Sequence, residues 1–115
     1  MQRRQRLSRS RDFDAVYRRG RSTATRFLVL YAFAREDEGG ARLGIAVPKK
    51  AGGAVARNRL KRQLREIWRQ LEDSSPVAHD FVLVARPGLV EATEAQGFGW
   101  LRERVEEILG KAGAR

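Results

Sequence analysis

A chain of 115 residues and 13.0 kDa, 42% hydrophobic, is long enough for one modest core and too apolar for wholesale disorder. Its formal net charge of +10 and pI near 11.3 point to a polyanionic partner, nucleic acid before an acidic membrane surface. The lack of cysteine excludes disulfides and thiolate metal sites and fits a cytoplasmic protein, and no apolar run reaches the ~20 residues of a membrane span.

The first nine residues are basic and polar apart from Met1 and Leu7, lack the apolar core of a signal peptide, and read as a flexible basic arm. Ser10 then offers an N-cap for a short helix ending at Gly20, with Phe13, Val16 and Tyr17 on one face. Asp12 and Asp14 read as helix-start residues rather than as a metal pair. The β-branched and aromatic run "STATRFLVLYAFA" predicts a strand over 25–34, apolar on both faces and so inside a sheet, with room for an extra short strand before Phe27. "EDEGGA" is a turn, and "RLGIAV" a second strand with Leu43, Ile45 and Val47 on one face, ended by Pro48. After the loop "KKAGG" a long helix is expected over 54–71. "FVLVA", 81–85, reads as a buried strand preceded by a surface turn at His79 and Asp80. One last helix follows, with Thr93 and Gln96 as a capping box, Leu101, Val105, Ile108 and Leu109 as its stripe and Gly110 as its stop. The order α-β-β-α-β-α implies an α+β fold, a two-layer sandwich with one central mixed sheet and a single domain over 1–115.

Charge is unevenly spread. Residues 1–65 hold 18 Lys/Arg against 5 Asp/Glu, whereas residues 66–115 hold 6 against 9, and no acid stands between Glu38 and Glu66. Of the 24 basic residues only Lys49, Lys50, Lys61 and Lys111 are lysine. The arginine fork suits phosphate, although a genome rich in G and C would favour arginine codons too. On the long helix Leu60, Leu64, Ile67 and Leu71 share one side. Asn58, Lys61, Arg62, Arg65 and Arg69 share the other, with Arg59 at its edge. Like charges at i, i+4 such as Lys61 and Arg65 cost a few tenths of a kcal/mol per pair, roughly, and cations at a helix N-terminus oppose its dipole. Both penalties vanish against a bound polyanion, and Gly52 and Gly53 allow backbone N–H groups to approach a phosphate. The alternative is a solvated cationic face, which usually mixes its signs.

"KKAGGAVARNRLKRQLRE" resembles the signature of the bacterial ribonuclease P protein family, a Lys-Lys-x-Gly-x-Ala-Val loop leading into an Arg-Asn-Arg helix. "RLSRSRDFDAVYRRGRS", "RFLVLYAF" and "RLGIAVPKK" look like the family's preceding segments, so the likeness runs unbroken over about residues 3–86. It implies a left-handed crossover around the Arg-Asn-Arg helix, and a subunit that assists RNA-catalysed removal of the 5′ leader from precursor tRNA. Carried over, Arg57, Asn58, Arg59, Lys61, Arg62 and Arg65 match the helix that contacts the catalytic RNA. Phe13, Tyr17 and Tyr31 match the aromatics of a leader cleft, with Lys49 and Lys50 beside it. Gly53 and Ala51 depart from the family's asparagine and larger aliphatic and bear on the loop's conformation.

The residues themselves describe such a cleft. Val29, Tyr31 and Phe33 share a strand face, while Gly44 and Ala46 keep the facing floor low, as unstacked RNA bases require. Each aromatic could instead be core, which is where Trp68, Phe81, Phe98 and Trp100 belong, at the interior or its edge. Arg3, Arg4, Arg6 and Arg9 of the arm add auxiliary basic contacts. No catalytic side chain and no metal-binding side-chain motif is expected, and the resemblance implies a magnesium-requiring reaction catalysed by the RNA. The partners implied are the ribonuclease P RNA and the precursor leader, with no membrane and no obligate protein partner. A ribosomal-type module that binds structured RNA without cleavage is the alternative. A cationic membrane-surface or DNA-compacting protein is a third, but needs a wider apolar helix face than the leucine stripe provides.

Overall fold

Alternation along "LVLYAFA" decides the architecture, because each strand residue faces away from the one before it. In the computed structural model of the chain, which describes residues 6, 7, 9–35, 40–71 and 79–113, this segment is β2 (Leu28–Ala34). It lies inside a four-stranded sheet ordered β1-β2-β4-β3, with β1 (Arg21–Ala24), β3 (Arg42–Ala46) and β4 (His79–Ala85). β2 pairs antiparallel with β1 and β4, and β3 pairs parallel with β4, so the sheet is mixed. The parallel pair needs a crossover, supplied by a 3₁₀ turn (Lys49–Ala51) and α2 (Ala54–Leu71), whose bounds match the predicted helix.

One sheet face carries Leu28, Leu30, Leu43, Ile45, Phe81 and Leu83, packed against Leu60, Leu64, Ile67, Trp68 and Leu71 of α2 and against α3 (Leu89–Gln96) and α4 (Phe98–Lys111). Each such aliphatic side chain contributes about 1.5–3 kcal/mol on burial, which makes this face the main source of stability. The other face is covered by α1 (Ser10–Arg19) over a small cluster of Leu7, Val16 and Val82. Trp100 meets Phe27 edge-to-face at 5.2 Å, Trp68 packs on Phe81 at 5.0 Å, and Phe98 is 37% exposed.

The sequence reading needs correction at several boundaries. The extra strand exists as β1, and β2 starts at Leu28 rather than Thr25. Ser10 does not cap α1: it is the first helical residue, and the carbonyl of Arg9 accepts from Asp12 and Phe13. The expected final helix is two helices, with Thr93 buried inside α3 rather than capping anything, its hydroxyl unpartnered among the described residues. Gly97 divides them at φ 91, donating to Thr93 O at 2.7 Å and accepting from Leu101. That left-handed turn suits glycine because it has no Cβ. Gly110 lies within α4, which ends at Lys111.

His79 and Asp80 are no surface turn. They begin β4, and Asp80 is buried at 3% exposure, where Arg42 Nε and Nη2 donate to its carboxylate at 2.8 and 2.7 Å and Arg35 Nη1 donates to Oδ1. A buried carboxylate needs such partners, and that requirement places Arg35 and Arg42. The arm is also partly seated: Arg6 bridges Leu43, Leu7 N donates to Leu43 O at 2.9 Å, and Leu7 is 5% exposed. Arg3, Arg4 and most of the "EDEGGA" turn lie outside the described residues.

Candidate nucleic-acid interface

α2 buries its leucine stripe and turns its charge outward. Asn58, Arg59 and Arg62 are exposed, and Arg57, Lys61 and Arg65 are half-buried, their stems laid along the protein surface. The first turn holds no acid. The helix's sole acid, Glu66, is taken by Arg69, whose Nη2 donates to Oε1 at 2.5 Å, and that hydrogen bond draws the Glu66 carboxyl below its usual pKa. Arg69 therefore leaves the expected strip. Arg57, Arg59, Lys61, Arg62 and Arg65 make no ion pair among the described residues, and Arg57 Nε is buried without a hydrogen-bond partner. Burial, and then the nearby Arg6, lower the pKa of Arg65. The bridge to Leu43 thus carries the arm's positive charge towards α2, and like charges near one another favour a bound anion.

The second surface lies on the opposite sheet face. Register aligns Tyr31, Val82 and Gly44 across one row and Val29, Val84 and Ala46 across the next, so the strand residues predicted for the cleft do share a face. α1 lends Phe13 and Tyr17, 6.3 Å apart, and Tyr17 meets Tyr31 edge-to-face at 4.9 Å. Tyr17 is 39% exposed, while Phe13, Val29, Tyr31 and Ala46 are half-buried. Burial first, then Tyr31 and Asp14, raise the Tyr17 pKa, so its phenol stays neutral. Gly44 sets the depth: a Cβ there would stand 2.5 Å from Phe13 Cζ, so the ring occupies the space a side chain would fill. Phe13 is accordingly both packing and wall. Lys49 and Lys50 are exposed on the 3₁₀ turn beyond the end of β3.

Phe33, Asp80 and Arg42 form the next row on this face, and Arg42 Nη1 also lies 3.6 Å from Asp12 of α1. This node ties α1 to the sheet, and sequence reasoning missed it. Its signal was Asp80, a lone acid heading an apolar strand. Both carboxylates are neutralised by arginine, an environment that repels a divalent cation, and among the described residues no three His, Asp or Glu side chains converge. The arm links the two surfaces: Arg6 lies near enough to α2 to act on Arg65, while Leu7 sits in the cleft-face cluster 3.3 Å from the place of a Gly44 Cβ. Arg9 is exposed ahead of α1. No described helix is long and apolar enough to cross a membrane.

The family model Ribonuclease P matches residues 1–113. The ribonuclease P protein component of Brevibacillus brevis is 44% identical over 93 residues, 81% of this chain and 74% of its own length. That of a Geobacillus species is 33% identical over 114 residues, covering 99% and 95%. Among solved structures, the RNase P protein of Staphylococcus aureus superposes with a TM-score of 0.84 at 31% identity over 96% of both chains. The Thermotoga maritima protein gives 0.83 at 34% identity over 92% of this chain and 96% of its own.

Proposed function

The chain belongs to the bacterial ribonuclease P protein family, and from that premise we propose that its two surfaces hold two different RNAs. Arg57, Asn58, Arg59, Lys61, Arg62 and Arg65, with Arg6 beside them, dock the catalytic RNA. Phe13, Tyr17 and Tyr31, above the floor of Val29 and Ala46 and with Gly44 buried beneath the Phe13 ring, hold unstacked bases of the precursor leader, and Lys49 and Lys50 face its phosphates. The RNA performs the hydrolysis with magnesium, and the protein supplies position and charge neutralisation.

The observation that carries the reading is the state of α2: every apolar side chain of its stripe is buried, yet none of its cations from Arg57 to Arg65 has an acid partner among the described residues. A fold that uses its packing to hold unneutralised charge outward is built to meet a polyanion.

The test adds the purified protein to a bacterial ribonuclease P RNA at low magnesium, with precursor tRNA bearing either a long leader or a single leader nucleotide. Cleavage should rise, and affinity should rise for the long leader alone. RNA binding without leader dependence would instead indicate a structured-RNA module. Arg59→Ala and Arg62→Ala should each weaken holoenzyme assembly and flatten its dependence on log salt by roughly 0.7–0.9 for each phosphate no longer neutralised. Unchanged binding and slope in both variants would overturn the docking role.

A further inference from the structure

Three connections leave the sheet at one end. The register pairs Ala24 with Val29, Leu28 with Ala85 and Ala46 with Val84, so the β1–β2 turn (25–27), the segment after β4 (86–88) and the loop from β3 to α2 (47–53) emerge on the same side. They carry Arg26, Arg86, Lys49 and Lys50, all exposed, and no acid. Arg86 belongs to the acid-rich part of the chain, where Arg69, Arg102 and Arg104 each have a carboxylate within 3.6 Å. Arg86 has no such partner among the described residues, and neither has Arg26. Unneutralised charge at this rim calls for a polyanion, as it does on α2.

The backbone brings the two arginines together. Arg86 N donates to Phe27 O at 2.9 Å, one pair beyond the β2–β4 ladder, and Arg86 Nη1 donates to Thr25 O at 2.7 Å, next to Arg26 in the chain. Arg26 Cζ lies over the Phe27 ring at 5.1 Å, that ring meets Trp100, and Trp100 carries Arg104 at 5.2 Å. Rings covered in this way order the arginine and leave no platform for a base. An ordered guanidinium without a stacking platform reads phosphates, which is how paired RNA is held, its bases being turned inward. Phe27 packs against the closed-face core, so Arg26 stands on the α2 side of the sheet, away from the cleft of Tyr17 and Tyr31. The rim also runs on into α2: a Cβ on Gly52 would lie 3.5 Å from Val90 Cγ1, so the loop that opens α2 packs on α3, which begins three residues after Arg86. We infer that Arg26 and Arg86 form a second contact with the catalytic RNA, to the phosphate backbone of a base-paired segment passing the end of the sheet. This contact rests on the docking reading for α2 and adds a site to it.

The experiment measures binding of the full chain to a bacterial ribonuclease P RNA across salt concentrations, with and without precursor tRNA. It compares wild type with Arg26→Ala/Arg86→Ala, Arg26→Lys/Arg86→Lys and Arg26→Glu, with Arg59→Ala and Arg62→Ala as references on α2. The double alanine variant should bind the RNA alone more weakly, with a log–log salt slope flatter by roughly 0.9 for each phosphate lost, so that its deficit shrinks about threefold per phosphate from roughly 50 to 200 mM salt. The lysine variant keeps the charge and should keep most of the slope. In hydroxyl-radical footprinting, a paired RNA segment should lose protection in the double alanine variant and stay protected in Arg62→Ala. Arg26→Glu leaves the Arg86 bond to Thr25 O in place and should weaken binding too, which tests the rim even where the double variant unsettles the turn. Wild-type affinity and slope in the alanine and glutamate variants, beside impaired α2 references, sink this inference and leave the docking reading intact. A deficit that appears only with precursor tRNA present also overturns it, because the rim would then hold the precursor. If the α2 references and the rim variants all bind as wild type does, both readings fall.

Discussion

The two faces of one sheet differ more than its strands suggest. On the α2 side, Leu28, Leu30, Leu43, Phe81 and Leu83 are at most 2% exposed under three helices. On the α1 side the buried apolar side chains among the described residues are Leu7, Val16 and Val82, and Phe13, Tyr31, Phe33 and Val84 stay partly open under one short helix. β2 serves both, sending Leu28 and Leu30 to the closed face and Val29, Tyr31 and Phe33 to the open one. The lesson is that a strand apolar on both sides need not be covered on both sides. Where the second cover is short, the aromatics left beneath it make a cleft, and the closed face supplies the stability that keeps that cleft in shape.

The largest effect should come from damaging the closed face. Leu64 is fully buried between α2 and the sheet, so Leu64→Ala removes apolar burial and leaves a cavity. We expect a loss of about 2–5 kcal/mol in denaturant unfolding, with leader-dependent affinity preserved at temperatures where the variant remains folded. Loss of leader selectivity in the folded variant would show that the faces are not separate.

Gly44→Ala should act in the opposite sense. The added methyl would meet the Phe13 ring at 2.5 Å and drive it out over the cleft floor. Overpacking of this kind costs about 1–3 kcal/mol, less than the leucine deletion, because the obstacle is the far end of a side chain. Affinity for a long-leader precursor should fall towards that for a one-nucleotide leader, while binding of the catalytic RNA stays unchanged. A variant that keeps full leader dependence would mean that Phe13 serves packing alone.

Periodicity made much of this legible beforehand. The leucine stripe of α2, its bounds, and the shared face of Val29, Tyr31, Gly44 and Ala46 all follow from 3.6- and 2-residue repeats, which depend on the chain alone. The residues that escaped depend on tertiary partners. Asp80 sits in a segment that reads as a turn until Arg35 and Arg42 arrive from 45 and 38 residues away. Leu7 belongs to an arm that reads as loose until β3 offers Leu43 as a partner. Thr93 occupies a capping position only if the helix begins there, and Gly97 moves that start. Local rules name an element's periodic middle more reliably than its ends, where long-range pairing competes with them.

The smallest effect concerns how dry the open face is. Burial is the leading cause of the raised Tyr17 pKa, ahead of Tyr31 and Asp14. A phenol whose folded pKa lies above its unfolded value keeps its proton longer in the folded state. The stability this contributes is present below the unfolded pKa and declines as the pH rises through the ordinary tyrosine range toward the folded value. With only two tyrosines in the chain, Tyr31→Phe leaves Tyr17 as the sole source of phenolate absorbance. Its midpoint should then fall below the wild-type Tyr17 value, since Tyr31 no longer adds its charge, yet remain above that of free tyrosine, since burial persists. A midpoint at the free value would mean that the cleft wall is fully wetted. The open face would then owe its aromatics to surface packing rather than to a groove that is half dry before any RNA enters it.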